Sequence, residues 1–344
     1  MKQHGMLQGC TGVTAGVSGG ADSVCMLLIL KACCERRNLP RQVVHIEHGL
    51  RGEESLGDAA FVEDLCRKQD IPCTVLHKEV ASLAAREGLS TEEAGRMARY
   101  EAFEEACPEG GVIAVAHNMQ DQAETVLFHL ARGTGLDGLA GMQPVRGNII
   151  RPLLCCGREE IEDWLRENGQ TWRTDATNQD TAYSRNMLRH HVLPILQEEV
   201  NAQAIRHICE AAEHAGEAGA YLDRKAREFI DVHVHIIKDA GEDAVGTALL
   251  ASRDSGDVQK TAPMAWMELL PFREEDPLMQ EYILRRTISL VKGGIGLKDI
   301  GLVHIRDLVE LAYKPSGKRL DLPGRLKAVR KGKQMYLFVE LSRG

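Results

Sequence analysis

The chain has 344 residues, 44% hydrophobic and 27% charged, long for one domain, comfortable for two and able to bury a sizeable core. No run of 18 or more apolar residues occurs, and the first residues lack an apolar stretch of signal-peptide length, so neither a membrane span nor a secretory leader is expected. The net charge of −8 argues against a polyanionic partner, yet residues 284–344 carry 14 Lys/Arg against 5 Asp/Glu, a net of +9 that leaves −17 on the rest. A basic segment on an acidic body is an asymmetry suited to nucleic acid. The 10 cysteines include the adjacent pairs Cys33-Cys34 and Cys155-Cys156 but no C-x-x-C; reduced thiols in a cytoplasmic protein are the expectation.

Taken in order, residues 12–17, 41–47, 71–76 and 111–116 read as short apolar strands. Helical patterns fall between them at 22–37, 55–69 and 91–107, with another after 118. This alternation predicts βαβ units: an α/β fold with a doubly wound parallel sheet covered on both faces. Ligands of such sheets sit at the carboxyl ends of the strands. Further on come Arg151-Pro152-Leu153-Leu154, a helix over 158–168, a polar stretch at 173–180 and helical material over 185–229. Residues 237–258 read as a loop or linker, followed by helices over 278–291 and 299–312 and a closing hairpin around 334–339. The chain thus divides at 200/201 into a nucleotide-binding domain and a smaller, mainly helical accessory domain.

The candidate chemistry begins at Ser18-Gly19-Gly20-Ala21-Asp22-Ser23, a Gly-bearing turn between the first strand and the first helix. Glycines allow close approach to an anion, and the N–H groups of a helix start point at it. The spacing is not G-x-x-x-x-G-K-[ST], which excludes a Walker loop; a Ser/Gly turn capping a helix is the alternative. His45-Ile46-Glu47-His48-Gly49-Leu50-Arg51 ends the second strand with two histidines, but no acidic or Cys partner is spaced to complete a zinc site. Arg96 and Arg99 project together from a helix as a fork suited to phosphate, or as a solvated basic face. His117 follows the fourth strand, and Asp121 and Glu124 share a face of the next helix. Such carboxylates hold a cation or an ammonium group, or accept a proton. Arg132-Gly133-Thr134-Gly135 adds a charge on a close-approach loop, and Asp175-Ala176-Thr177-Asn178 precedes a helix carrying Arg185 and Arg189.

The first of these motifs resembles the SGGxDS loop of the PP-loop ATP pyrophosphatase superfamily (adenine nucleotide alpha hydrolase-like). The clusters in this order, over residues 12–196, resemble the family of tRNA(Ile)-lysidine synthetases. The matches lie at Ser18–Ser23, His48–Arg51, Arg96/Arg99/Tyr100, Asp121–Thr125, Arg132–Gly135, Ile150–Leu154 and Asp175–Arg189, with a weaker one at Leu320-Asp321-Leu322-Pro323-Gly324. Departures are Glu47 and Gln120, each standing where the family has Asp, and Gly95 where Ala is common.

The resemblance implies an enzyme that uses ATP to place L-lysine on C2 of the wobble cytidine of a CAU-anticodon isoleucine tRNA, through an adenylated cytidine, releasing AMP and pyrophosphate. It implies ATP on Ser18, Gly19, Gly20, Ala21, Asp22, Ser23 and His48, and Mg²⁺ at Asp22. Arg96, Arg99 and Arg132 are then expected to stabilise α-phosphate charge, Asp121 and Glu124 to receive lysine, and Arg185, Arg189 and the basic segment to track tRNA phosphates. Self-association into a homodimer is left open. The rival is a PP-loop tRNA thiolase acting on a cytidine or uridine, which the absence of C-x-x-C disfavours. A synthetase acting on a small molecule, or a non-enzymatic RNA-binding module, ranks lower.

Overall fold

The structure, a computed structural model, describes residues 1–47, 53–78, 80–173, 184–237, 263–294, 297 and 299–340. It divides into two compact units, Met1–Gly216 and Glu217–Gly344.

In the first unit the order is β1 (Val13–Gly16), α1 (Ala21–Glu35), β2 (Arg41–Glu47), α2 (Glu53–Gln69), β3 (Cys73–His77), α3 (Val80–Glu87), α4 (Thr91–Ala106) and β4 (Val112–Ala114). Then come α5 (Met119–Ala131), α6 (Leu136–Leu139), the hairpin strands β5 (Val145–Arg146) and β6 (Ile149–Ile150), and α7 (Arg158–Glu167). The sheet order is β3-β2-β1-β4-β6-β5. Every pairing is parallel except the β5–β6 hairpin. The chain leaves β1 toward β2 on one side and reaches β4 on the other, so the winding reverses between β1 and β4. That reversal opens a crevice at their carboxyl ends.

Strand residues alternate between two cores, as the period of 2 requires. Val13, Ala15, Val17, Val43, Ala114 and Ile150 pack on one side with Val24 and Leu27 of α1, Val62 of α2, and Ile161 and Leu165 of α7. Val44, Ile113 and Val115 pack on the other with Phe103 of α4. On that second side Gly16 is obligatory for packing: a Cβ there would lie 2.3 Å from Phe103 Cζ. Capping boxes start two helices, Ser90 with Glu93 for α4 and Asn118 with Asp121 for α5. Residues 184–200 form a helical segment containing two π-helical turns, Leu188–Val192 and Leu196–Val200. It packs on α5 through Leu193, Met119 and Ala123, together with Ile205 of the long helix Ala204–His233.

The second unit holds the two expected helices, as Pro277–Val291 and Leu302–Tyr313, and a short one at Leu269–Glu274. Beside them lies an antiparallel sheet of five strands rather than a lone hairpin: β7 (Val234–Ile237), β8 (Met264–Glu268), β9 (Arg319–Leu322), β10 (Leu326–Lys331) and β11 (Gln334–Val339), in the order β7-β8-β11-β10-β9. Its core joins Met267, Met335, Leu337 and Ala328 of the sheet to Ile283, Ile288, Ile305 and Leu308 of the helices. Three of those strands are only 4 or 5 residues long, too short to show a period in the sequence. Among the described residues no helix is long and apolar enough to cross a membrane.

Candidate active site

The turn after β1 is held from within. Ser23 Oγ accepts from the backbone N–H groups of Ser18 at 3.2 Å and Gly19 at 3.1 Å, and donates to the Gly20 carbonyl at 2.9 Å. Gly19 adopts φ +95°, which L side chains rarely reach. Gly20 caps α1 in an extended conformation. The N–H groups of Ala21 and Asp22 therefore begin the helix without intrahelical acceptors, in the arrangement that favours an anion. From β2, His45 Nδ1 donates to the Val17 carbonyl at 2.8 Å, because a carbonyl can only accept. His45 thus serves as a strut for the loop.

Asp22, in the first turn of α1, faces the start of α5. Its side chain is hydrogen-bonded to Asn118, and Asp121, Arg158 and Arg189 act on its charge. Burial is the main reason its carboxyl is held above the usual range; the Asn118 bond opposes this and the Asp121 charge adds to it. Asp22 Oδ1 is buried without a hydrogen-bond partner. An orphaned, charge-capable oxygen next to a second carboxylate fits a hard divalent cation such as Mg²⁺, which takes one or two carboxylates and completes its shell with phosphates and water. Among the described residues no group of three His, Cys, Asp or Glu side chains suited to holding a metal occurs.

Asp121 and Glu124 come together as their spacing predicts, and a cation joins them. Arg189 Nη2 lies 2.6 Å from Asp121 Oδ1, and its Nε lies 2.5 Å from Glu124 Oε1. A third bond of 3.1 Å runs from Nη2 to Glu124 Oε2. Glu124 is buried, with 4% of its surface exposed. Burial works against the Arg189 charge, but the two carboxylates outweigh it and hold the guanidinium above its ordinary pKa. Arg189, expected from sequence to track tRNA phosphate, is committed to this acidic pair instead. The neighbouring glutamines are structural: Gln122 anchors the turn at Ala140 and Met142. Gln120, where the resembled family has Asp, accepts from the Arg158 N–H at 3.1 Å and caps α7. Glu47, the other departure, pairs with His77 at 2.9 Å.

A basic group borders the same crevice. The charges of Arg96, Arg99 and Arg151 all act on His117. Removal from water is the first cause holding the His117 imidazole down to about 4; the Asp121 charge opposes it and the arginines reinforce it. Arg96 lies over the Tyr100 ring, 5.2 Å from its centroid. Arg151 is buried, donates to the Gln143 carbonyl at 2.7 Å and bonds Tyr100.

Arg132 stands apart. It caps the far end of α5, over the Phe128 ring at 5.1 Å, and eleven residues of helix separate it from Asp121 by about 16 Å. It lines an open cavity of about 380 Å³ with Phe128, His129, Gly133 and Thr134. His48, Arg51 and Asp175 to Tyr183 lie outside the described residues, as does the side chain of Arg185. Sequence reasoning did not single out Asn118, Arg151 and Arg158 as site residues. Asn118 carried a readable signal, an N-cap residue three before Asp121. Arg158 and Arg151 reach the crevice only through the fold.

Similarities to known proteins bear on this arrangement. The PP-loop domain family matches residues 4–196. The chain is 36% identical over 332 residues to the tRNA(Ile)-lysidine synthase of Caldanaerobacter subterraneus subsp. tengcongensis, covering 96% of this chain and 66% of that protein. It is 35% identical over 332 residues to that of Geobacter sulfurreducens, covering 95% and 65%, and 33% identical over 334 residues to that of Clostridium tetani, again covering 95% and 65%. The chain thus spans just under two thirds of the length of these curated relatives.

Proposed function

Given that the chain belongs to the PP-loop domain family, with residues 4–196 as its matching portion, we propose that it joins free L-lysine to C2 of the wobble cytidine of a CAU-anticodon isoleucine tRNA at the expense of ATP. The observation that carries the reading is the convergence of the Ser18–Ser23 turn, Asp22, Asp121 and Glu124 on one crevice at the ends of β1 and β4. Its likeness to lysidine synthases over 96% of its length supports the choice among ATP-using enzymes.

The turn and the first N–H groups of α1 take the phosphates of ATP. Asp22, with Asp121 beside it, is the place for Mg²⁺, which when bound offsets triphosphate charge. The cytidine O2 attacks the α-phosphorus, the bond to the β-phosphate breaks, and pyrophosphate leaves. Arg96, Arg99 and Arg151 border the crevice with positive charge that opposes the charge building on the α-phosphate. The lysine ε-amine then forms its bond to C2 as the bond from C2 to the AMP oxygen breaks. That amine has an ordinary pKa near ~10.4 and must lose a proton before attack; Asp121 and Glu124 draw in the ammonium and accept the proton. The wobble base leaves its stack to reach the pocket, as enzymes acting on bases require. Arg132, at the far end of α5, and the basic segment over 284–344 contact tRNA rather than the reacting phosphate. The work is cytoplasmic, where tRNA, ATP and lysine meet.

The test combines protein, ATP, Mg²⁺, radiolabelled L-lysine and an unmodified isoleucine tRNA transcript with a CAU anticodon. Label in the RNA with wild type, and none with Asp22→Ala, is expected. AMP release that needs tRNA but transfers no lysine would turn the reading to a thiolase. No AMP release would remove the adenylation step altogether.

A further inference from the structure

The acidic pair proposed to receive the amine already holds a cation of this chain. Arg189 bonds Asp121 at 2.6 Å and Glu124 at 2.5 and 3.1 Å. These are the lengths of charge-assisted bonds, and the fork engages both carboxylates at once. Without it Asp121 and Glu124 would stand together with Asp22, whose charge Asp121 already raises in energy. One guanidinium offsets one of these three charges and pairs directly with the Glu124 carboxylate, whose side chain is 5% exposed.

The segment that delivers Arg189 is unusual. Leu188–Val192 is a π-helical turn, followed after Leu193–Ile195 by a second at Leu196–Val200. Such turns are rare, mostly single, and frequent at functional sites. The Leu193 side chain anchors the segment in the α5 core, with 2% exposure, while the Arg189 side chain is 31% exposed. A partly exposed arm on an anchored base can swing without unpacking that base.

We propose that Arg189 is a displaceable counter-ion of the amine site. It holds Asp121 and Glu124 in place and offsets their charge, and the ε-ammonium of lysine gains those carboxylates by displacing it. The inference rests on the lysine reading given above. Its consequence is selectivity: a small cation offers too little to evict a bidentate arginine, whereas lysine brings further contacts of its own. Once displaced, the guanidinium remains within reach of its tether. As a like charge near the ammonium it favours loss of the amine proton.

The proposal predicts an effect opposite to that of an arginine that merely contacts substrate. Binding of L-lysine to the full chain is measured by calorimetry for wild type, Arg189→Gln and Arg189→Lys, with melting curves to establish that each variant is folded. Removing the resident cation is expected to tighten lysine binding by roughly 5- to 150-fold, the span typical of two ligands coupled through one site; Arg189→Lys, lacking the fork, falls between. L-norleucine, which has the same carbon chain and α-amine but no ε-amine, is expected to gain nothing from Arg189→Gln. Unchanged or weaker lysine binding by folded Arg189→Gln overturns the displacement, as does equal tightening for norleucine. A wild type that neither binds nor transfers lysine overturns the lysine reading itself, and label transfer by wild type separates the two failures.

Discussion

Asp22 makes a demand on stability, and Asp22→Asn isolates it. Its Oδ1 is buried with no hydrogen-bond partner, and burial holds its carboxyl above the ordinary range. Leaving a buried acceptor unsatisfied costs roughly 1–3 kcal/mol. Asparagine keeps the shape, the bond to Asn118 and one unpaired polar atom but removes the charge, which adds to that cost, so a gain of about 1 kcal/mol is expected for the ligand-free protein. For a unit the size of Met1–Gly216 this corresponds to a rise in Tm of about 2–4 °C. The sign follows from linkage. A carboxyl whose folded pKa is raised destabilises the fold fully above that pKa, and the penalty fades as pH falls from there toward the ordinary value of 3.8. The advantage of Asp22→Asn is therefore full near neutral pH and disappears in acid. Melting curves across that range check it, with Mg-ATP added in a parallel series that stabilises wild type more than the variant. A variant less stable than wild type at pH 7, or an advantage independent of pH, would refute the view of Asp22 as an uncompensated carboxylate.

Three further outcomes are expected. Gly16→Ala places a Cβ 2.3 Å from Phe103 Cζ and should destabilise by about 1–3 kcal/mol, with Phe103→Leu restoring part of the loss in thermal melts of the double variant. His117, held down to about 4, resists protonation in the fold; it withdraws stability as pH falls below the ordinary imidazole value of 6.5, most fully below about 4. His117→Gln should accordingly flatten acid denaturation over that window, and a His117 imidazole that titrates near 6.5 by NMR would contradict its placement. Affinity for tRNA should fall by roughly 0.7–0.9 log units per phosphate contact for each tenfold rise in salt, with a shallower slope after Lys/Arg→Ala changes at Arg319, Arg325 and Lys318; a filter-binding titration that is flat in salt excludes the basic segment.

Local chemistry made much of this protein legible. Strands such as Val13–Gly16, buried on both faces, appear as short, mainly apolar stretches in the sequence. The Ser18–Ser23 turn reads directly because glycine and an N-terminal helix start are short-range features, and Asp121 with Glu124 reads because helical period alone places them together. Tertiary structure decided what no spacing encodes. Arg189, 65 residues beyond Glu124, becomes its partner only when the 184–200 segment packs on α5. Arg151 becomes a buried member of the basic group because β6 pairs with β4, and Arg132 is separated from Asp121 by the length of a helix. The five-stranded sheet of the second unit draws on strands from 234 to 339, whose pairing depends on contacts across a hundred residues. Short-range geometry is written in neighbouring side chains; which distant charges meet is settled only when the apolar faces close on one another.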